Sequence, residues 1–156
     1  MTEFTEIPVL DASPLSRGVP EEMAEGFAKA YGETGFAYIV KHGVPEALVE
    51  RVFAASVAFH SLSRDQKMAV ALDANHRGFI PINTSTDVNS KLADVKRPNQ
   101  SESFMMMRED GPDAPDVQAG AYLAGPNQWP DLVGFREDVM AYHDALTDLG
   151  RRLMEV

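Results

Sequence analysis

Apolar residues recur at alternating steps of three and four along the last part of the chain. This spacing is the period of an α-helix that buries one seam, so it predicts a long helix over residues 131–156. No glycine or proline cap follows the last of them, and we therefore expect the helix to continue in a longer protein. The seam residues are Leu132, Phe135, Val139, Tyr142, Leu146, Leu149, Leu153 and Val156.

The rest of the chain alternates between strand-like and helix-like segments. Apolar runs predict strands over residues 7–10, 36–40, 78–82 and 103–107. The run at 36–40 is apolar throughout, which is typical of a strand covered on both faces. These strands, mixed with helices, predict an α+β fold.

Two proline residues mark the starts of two further helices. Pro20 precedes Met23, Phe27 and Tyr31, which recur every four residues on one helix face. Pro45 begins the second helix, and turn-forming residues fill 11–18 and 109–130. The second helix has an inner face of Leu48, Val52, Ser56 and Phe59.

Composition narrows the classes of function. The 156 residues carry 24 acids against 14 bases, a net charge of -10 that disfavours nucleic acid or an anionic membrane as a partner. There is no cysteine, so disulfides, thiolate metal sites and cysteine nucleophiles are excluded. The length suits one domain over 1–156, and the absence of a leader or long apolar window predicts a cytoplasmic protein.

The histidines form no recognised metal motif. An iron site of two histidines and one carboxylate commonly contains His-x-Asp, but the four histidines are followed two positions later by Val44, Leu62, Gly78 and Ala145. Spacing alone leaves open a triad scattered through the sequence. Common hydrolase and nucleotide-binding motifs are also absent, so we predict no catalytic residues and no metal ligands in this chain.

Several fragments in a fixed order resemble a known family. They are ETGFAYIVKHGVP, AFHSLSRDQKMA, HRGFIP, ESF and GPNQWP. Together they resemble the N-terminal region of the iron(II)- and 2-oxoglutarate-dependent dioxygenases of the isopenicillin N synthase type. The resemblance extends over residues 7–153.

The resemblance implies how the chain would work in a longer enzyme. It implies a helix and strand region that packs against a double-stranded β-helix, or jelly roll, further along the polypeptide. That C-terminal half, absent here, would hold the His-x-Asp…His iron ligands and the Arg-x-Ser pair for 2-oxoglutarate. The implied activity is oxidation of a small-molecule substrate with O2, and we expect the 156 residues alone to be inactive. A few relatives do without 2-oxoglutarate, so its use stays open.

His42 lies in a segment that matches the family's Asn-His-Gly turn, with Lys41 in place of asparagine. The resemblance implies that this histidine is structural. Its ring can hydrogen-bond backbone groups at the strand end, while Gly43 permits a positive φ. His60 and His143 lie on or beside helix seams and are expected to be partly buried polar residues.

Arg77 and Phe79 are the candidates for substrate binding. Arg77 stands in HRGFIP, which matches the family's Arg-Gly-Tyr segment, and its guanidinium could pair with a substrate carboxylate. We expect its head to face a cavity shared with the C-terminal half; the alternative is a surface arginine paired with one of many acids. Phe79 replaces the family's tyrosine and removes a hydroxyl donor. Trp129 and Pro130 are expected to pack the loop onto the last helix.

A second function remains compatible with the sequence. The chain could be a noncatalytic interaction module that pairs with a partner through the helix at 131–156. In that case the seam would be exposed and would drive concentration-dependent association.

Overall fold

The structure is a computed structural model that describes residues 6–84 and 96–156. Two helices are long, and every other element is short. Within these ranges no helix combines the length and the apolar character that crossing a bilayer requires. In chain order the elements are β1 (Val9–Asp11), α1 (Ser13–Arg17), a 3-10 turn (Pro20–Met23), α2 (Ala24–Lys29), a π turn (Ala30–Thr34), β2 (Tyr38–Val40), α3 (Glu46–His60), α4 (Arg64–Met68), β3 (Gly78–Ile80), β4 (Ser103–Met105), α5 (Pro115–Gln118) and α6 (Phe135–Leu153).

The chain divides into two compact units. The terminal unit comprises Met1–Ala55 and Glu137–Val156, and the central unit comprises Ser56–Arg136. The boundary falls inside α3 and inside α6. A single domain over 1–156 stays a prediction, since compact units within one chain need not fold independently.

The terminal unit is built on a parallel pair of strands and the last helix. β1 pairs with β2 in the register Val9 to Tyr38. Leu149 of α6 is buried against Met23 in the core of this unit, which confirms that the seam packs on the helical segment after Pro20. The core contains Ala12, Leu15, Met23 and Leu149, with Ile39, Val44, Leu153 and Val156 packed around it.

Most of the seam residues on and beside α6 are buried or half-buried. Phe135 and Leu149 are 3% and 8% exposed, and the others are half-buried except Leu146, at 42%. The predicted long helix is confirmed, although it begins at Phe135 and ends at Leu153. The seam is therefore less exposed than the interaction-module hypothesis requires.

The region before β2 is more helical than predicted. The expected turn at 11–18 contains α1, because Asp11 Oδ1 accepts a hydrogen bond from Ser13 N at 2.8 Å and Pro14 favours a first helical turn. The helix expected after Pro20 is divided into a 3-10 turn, α2 and a π turn. It ends at Gly35, whose φ of 89° suits glycine.

The expectation that the strand at 36–40 is covered on both faces is wrong for this chain. Tyr38 and Val40 are 61% and 40% exposed, whereas Ile39 between them packs on the core. Alternate residues of a strand point to opposite faces, and here only one face meets the helices.

The central unit is built on β3, β4 and an aromatic cluster. β3 pairs with β4 antiparallel, opposing Phe79 to Phe104. Phe59 is fully buried, with ring centroids 4.9 Å from Phe104, 5.4 Å from Phe135 and 5.9 Å from Phe79. Both strands lie within the predicted ranges but are shorter. The predicted surface loop at 109–130 instead contains α5 and buried residues.

The inner face of α3 and the contact between Trp129 and α6 agree with the predicted packing except at Ser56. On α3, Leu48 and Phe59 are buried as expected, but Ser56 is exposed. Trp129 contacts the first residues of α6: its ring centroid lies 6.3 Å from that of Phe135, and the Arg136 guanidinium lies 5.7 Å from the Trp129 ring. The predicted packing role of Trp129 is confirmed.

Candidate functional site

Arg77 is the best-connected buried side chain of the central unit. It is 1% exposed. Its Nε donates to Asn127 Oδ1 at 3.2 Å, and its Nη1 donates to the backbone oxygens of Asn75 and Leu123 at 3.2 and 2.7 Å. Its Nη2 donates to the Arg108 oxygen at 3.1 Å and lies 3.9 Å from Asp110 Oδ2. The guanidinium therefore links three segments of the unit.

The amides of the GPNQWP loop complete this network. Asn127 donates through Nδ2 to the Met107 oxygen at 2.8 Å and to Glu109 Oε2 at 2.6 Å. Gln128 donates through Nε2 to the backbone oxygens of Ala71 and Arg77, at 2.7 and 2.6 Å. Each amide thus donates to backbone oxygens that accept no hydrogen bond within a sheet or helix. We call Arg77, Asn127 and Gln128 the Arg77 network.

Unusual backbone conformations surround the network. His76 and Leu123 have φ of 59° and 64°, which costs energy for residues with a side chain. Leu123 is held there by its hydrogen bond to Arg77. Gly78 has a φ of 116°, and a Cβ at this position would lie 2.4 Å from the Val70 oxygen. The local geometry therefore requires glycine at position 78.

The position of Arg77 bears on its predicted role. The alternative of a surface arginine is wrong, because the side chain is buried. A bidentate bond to a substrate carboxylate would need two parallel N–H groups, and four of the five N–H groups of Arg77 already donate to protein acceptors. The substrate-binding roles of Arg77 and Phe79 stay predictions.

A second cluster of charges lies beside β3 and β4. Lys67 is 8% exposed, and its Nζ donates to Glu102 Oε1 at 2.7 Å and to the His60 oxygen at 3.3 Å. The ring nitrogen Nδ1 of His60 lies 2.8 Å from the same carboxylate oxygen. Hydrogen bonds from Lys67 and then from His60 hold the pKa of Glu102 below its ordinary value.

Local structure explains how Lys67 is held. Ser63 caps α4: its Oγ accepts from Gln66 N at 3.3 Å, and its own N donates back to Gln66 Oε1 at 3.1 Å. This capping box fixes the start of the helix that carries Lys67 and Arg64. The ammonium of Lys67 also lies 5.2 Å from the centroid of the Phe79 ring. Phe79 is 1% exposed, and in the sequence only Gly78 stands between it and Arg77.

An open cavity of about 460 Å³ adjoins this cluster. A volume of this size lies within the range of small-molecule sites. The side chains that matter for binding are Arg64, Lys67, Phe79, Pro81, Ile82 and Glu102. Sequence reasoning assigned a binding role only to Phe79. Arg64 and Lys67 lie in AFHSLSRDQKMA and Glu102 lies in ESF, but no local motif links Lys67 to Glu102 across 35 residues.

The histidines do not converge. His42 Nδ1 accepts from Val44 N at 3.1 Å, and Gly43 has a φ of 82°, so the predicted turn role is confirmed. His60 and His143 have side chains 34% and 31% exposed, as expected for partly buried residues. His76 meets Tyr122 at 3.3 Å. Across residues 6–84 and 96–156, no three His, Asp or Glu side chains are grouped so that they could hold a metal ion.

Comparison with known proteins identifies the relatives of this arrangement. Residues 7–132 match the family described as "non-haem dioxygenase in morphine synthesis N-terminal". The chain is 36% identical to the 2-oxoglutarate-dependent dioxygenase caaD of Aspergillus niger over 97% of its length, which is 47% of that protein. It is 30% identical to the 2-oxoglutarate-dependent dioxygenase tropC of Talaromyces stipitatus over 93% of this chain and 44% of that one.

Solved structures show the same fold. A full-length protein of Neurospora crassa, solved in complex with alpha-KG, superposes with a TM-score of 0.73 at 25% identity, covering 95% of this chain and 45% of that one. A 2OG-Fe(II) oxygenase family protein of Caulobacter crescentus gives a TM-score of 0.75 at 21% identity, covering 97% and 47%. The chain spans about half the length of the relatives it matches.

Proposed function

The chain belongs to the family of non-haem dioxygenase N-terminal domains, and we propose that it forms the N-terminal part of an iron(II)- and 2-oxoglutarate-dependent oxygenase that oxidises a small molecule. The observation that carries the proposal is the family match over residues 7–132, combined with relatives of which the chain covers only about half. The mixed helix and strand fold agrees with the corresponding part of the solved oxygenases.

The side chains in residues 6–84 and 96–156 do not offer an iron site. Iron of this type needs three converging ligands. Among the described residues no such set exists. We therefore assign the metal and cosubstrate ligands to a C-terminal half with a jelly-roll fold, where the family resemblance places them.

The contribution of this chain is then to shape and support the substrate side of the enzyme. The Arg77 network holds the segments around residues 71–79, 107–110 and 123–128 together through hydrogen bonds to backbone oxygens. Such rigid support keeps binding groups in place better than free loops do. Arg77 acts here as a positioning residue, and direct contact with a substrate carboxylate is the competing prediction.

The proposal is tested by comparing the 156-residue chain with a longer gene product. We expect the reading frame to continue after Val156 into a His-x-Asp segment. The longer protein should release succinate from 2-oxoglutarate under oxygen when iron(II) is supplied, and the 156-residue chain should not. Anaerobic titration of the short chain should give no charge-transfer band of an iron chelate. A band at one equivalent would show that a triad exists within these residues.

A frame that ends at Val156, with no succinate formed, would remove the oxygenase proposal. Analytical ultracentrifugation would then test the interaction-module hypothesis, which requires association that grows with concentration.

A further inference from the structure

The cavity beside β3 and β4 has an asymmetric distribution of charge. Two cationic side chains, Arg64 and Lys67, line it together with one carboxylate, Glu102. Glu102 Oε1 is already taken by Lys67 and His60, at 2.7 and 2.8 Å. The cavity therefore keeps an excess of positive charge, which favours an anionic ligand.

The Lys67 ammonium makes two hydrogen bonds to the protein and has a third N–H donor. An ammonium group has three N–H donors, and two of them face Glu102 Oε1 and the His60 oxygen. No acceptor for the third is found in the part of the chain that the structure describes. Because Lys67 is 8% exposed, this donor lies where water has little access and a ligand oxygen would strengthen the interaction.

Arg64 supplies a second donor group at the exposed side of the cavity. It lies at the first position of α4, and within 6–84 and 96–156 its side chain has no hydrogen bond or ion pair. An unpaired guanidinium can bind a carboxylate through two parallel N–H groups. In this respect Arg64 differs from Arg77, four of whose five N–H groups already donate to protein acceptors.

The remaining wall suits an apolar group. Pro81 and Ile82 provide the accessible apolar surface, and the buried Phe79 ring lies 5.2 Å from the Lys67 ammonium. Ligand sites in proteins commonly combine such an apolar wall with a few polar groups that set orientation. The cavity therefore offers a carboxylate position at one end and an apolar position along β3.

We propose that this cavity binds a small apolar carboxylic acid, with its carboxylate between Arg64 and Lys67 and its apolar part against Pro81 and Ile82. That this acid is the substrate rests on the proposed oxygenase function; the binding itself does not. The proposal assigns carboxylate recognition to Arg64 and Lys67, with Arg77 holding the structure behind them.

The test uses phenylacetate as the probe and backbone amide NMR of the 156-residue protein as the readout. Phenylacetate should shift the amides of Phe79, Ile82 and Glu102 with a dissociation constant on the order of 1 mM, since a ligand of this size reaches only modest affinity. The neutral analogue 2-phenylethanol and the cationic 2-phenylethylamine should leave these amides unshifted at the same concentrations.

Variants locate the carboxylate. Arg64→Gln should weaken phenylacetate binding by about tenfold through loss of a charge-assisted bond. Lys67→Met, which keeps the length of the stem, should weaken it further. Arg151→Gln is the matched control, because the Arg151 side chain is also exposed and has no partner in the described chain, but belongs to the terminal unit.

The outcomes separate this proposal from the proposed function. No shift with phenylacetate, equal shifts with 2-phenylethanol, or equal losses in Arg64→Gln and Arg151→Gln would overturn the cavity assignment. If Lys67→Met fails to fold, Arg64→Gln still decides. Succinate release by the longer protein without phenylacetate binding would overturn the cavity assignment alone, and binding without succinate release would overturn the oxygenase alone.

Discussion

Arg77 and Arg64 lie thirteen positions apart in one compact unit and have opposite environments. Arg77 is 1% exposed and makes hydrogen bonds to Asn127 and to three backbone oxygens. Arg64 is exposed and has no partner in the part of the chain that the structure describes. A guanidinium that the protein has already satisfied stabilises the fold, whereas an unsatisfied one beside a cavity is available to a ligand.

Removing the guanidinium of Arg77 should have the largest effect. Arg77→Met would leave the backbone oxygens of Asn75, Leu123 and Arg108 without their side-chain donor, and breaking a buried charged network costs about 3–5 kcal/mol. Urea unfolding followed by circular dichroism measures the loss, and Arg151→Met is the control. A loss within about 1 kcal/mol of the control would show that Arg77 is not a structural centre.

Gly78→Ala tests the backbone next to Arg77 and should be the next largest effect. The added Cβ would meet the Val70 oxygen at 2.4 Å, and a φ of 116° is strained for alanine. We expect a loss on the order of 3 kcal/mol in urea unfolding. The control is Gly111→Ala in the same unit, where a Cβ would meet nothing within 4 Å. Equal stability of the two variants would contradict the assigned geometry of the His-Arg-Gly segment.

Periodicity and turn chemistry were enough to predict much of the fold. The seam at 132–156, the strands β3 and β4 and the His42 turn depend on local spacing, and the structure contains them. The two-sided burial expected for the strand at 36–40 failed, because apolar composition does not say which faces have neighbours. Tyr38 is therefore exposed despite its sequence context.

The polar contacts of the central unit were not predictable from the sequence. Lys67 meets Glu102 across 35 positions, and Arg77 meets Asn127 across 50. No local period or propensity encodes such pairs, so an arginine in a family motif was assigned to substrate binding while Arg64 received no role. Arg77 and Arg64 differ in burial and in the number of N–H groups that already have a protein acceptor, and neither quantity can be read from the sequence.

Acid should destabilise the protein through protonation of Glu102, which lines the cavity. The folded state holds the pKa of Glu102 below its ordinary value of 4.5, chiefly through the hydrogen bond from Lys67, so the ionised form is favoured by folding. Its contribution to stability is complete above pH 4.5 and is lost as the pH falls below 4.5 through the folded pKa. Glu102→Gln should reduce this part of the acid sensitivity in urea unfolding between about pH 6 and pH 3. Parallel pH profiles for the two proteins would show that the carboxylate is not held by Lys67 and His60.

Replacing Arg64 should have the smallest effect on the free energy of unfolding. Arg64→Gln removes a charge from the first turn of α4, where the helix dipole disfavours a cation, and the Ser63 and Gln66 cap does not involve it. Arginine and glutamine also have similar helix propensities. The free energy of unfolding should therefore stay within about 0.5 kcal/mol of the parent, or rise slightly, while Arg77→Met loses several. Midpoints of urea unfolding for both variants, measured together with Arg151→Gln, make the comparison. A loss above about 1 kcal/mol in Arg64→Gln would mean that Arg64 has a structural partner, and its guanidinium would then no longer be free for a ligand.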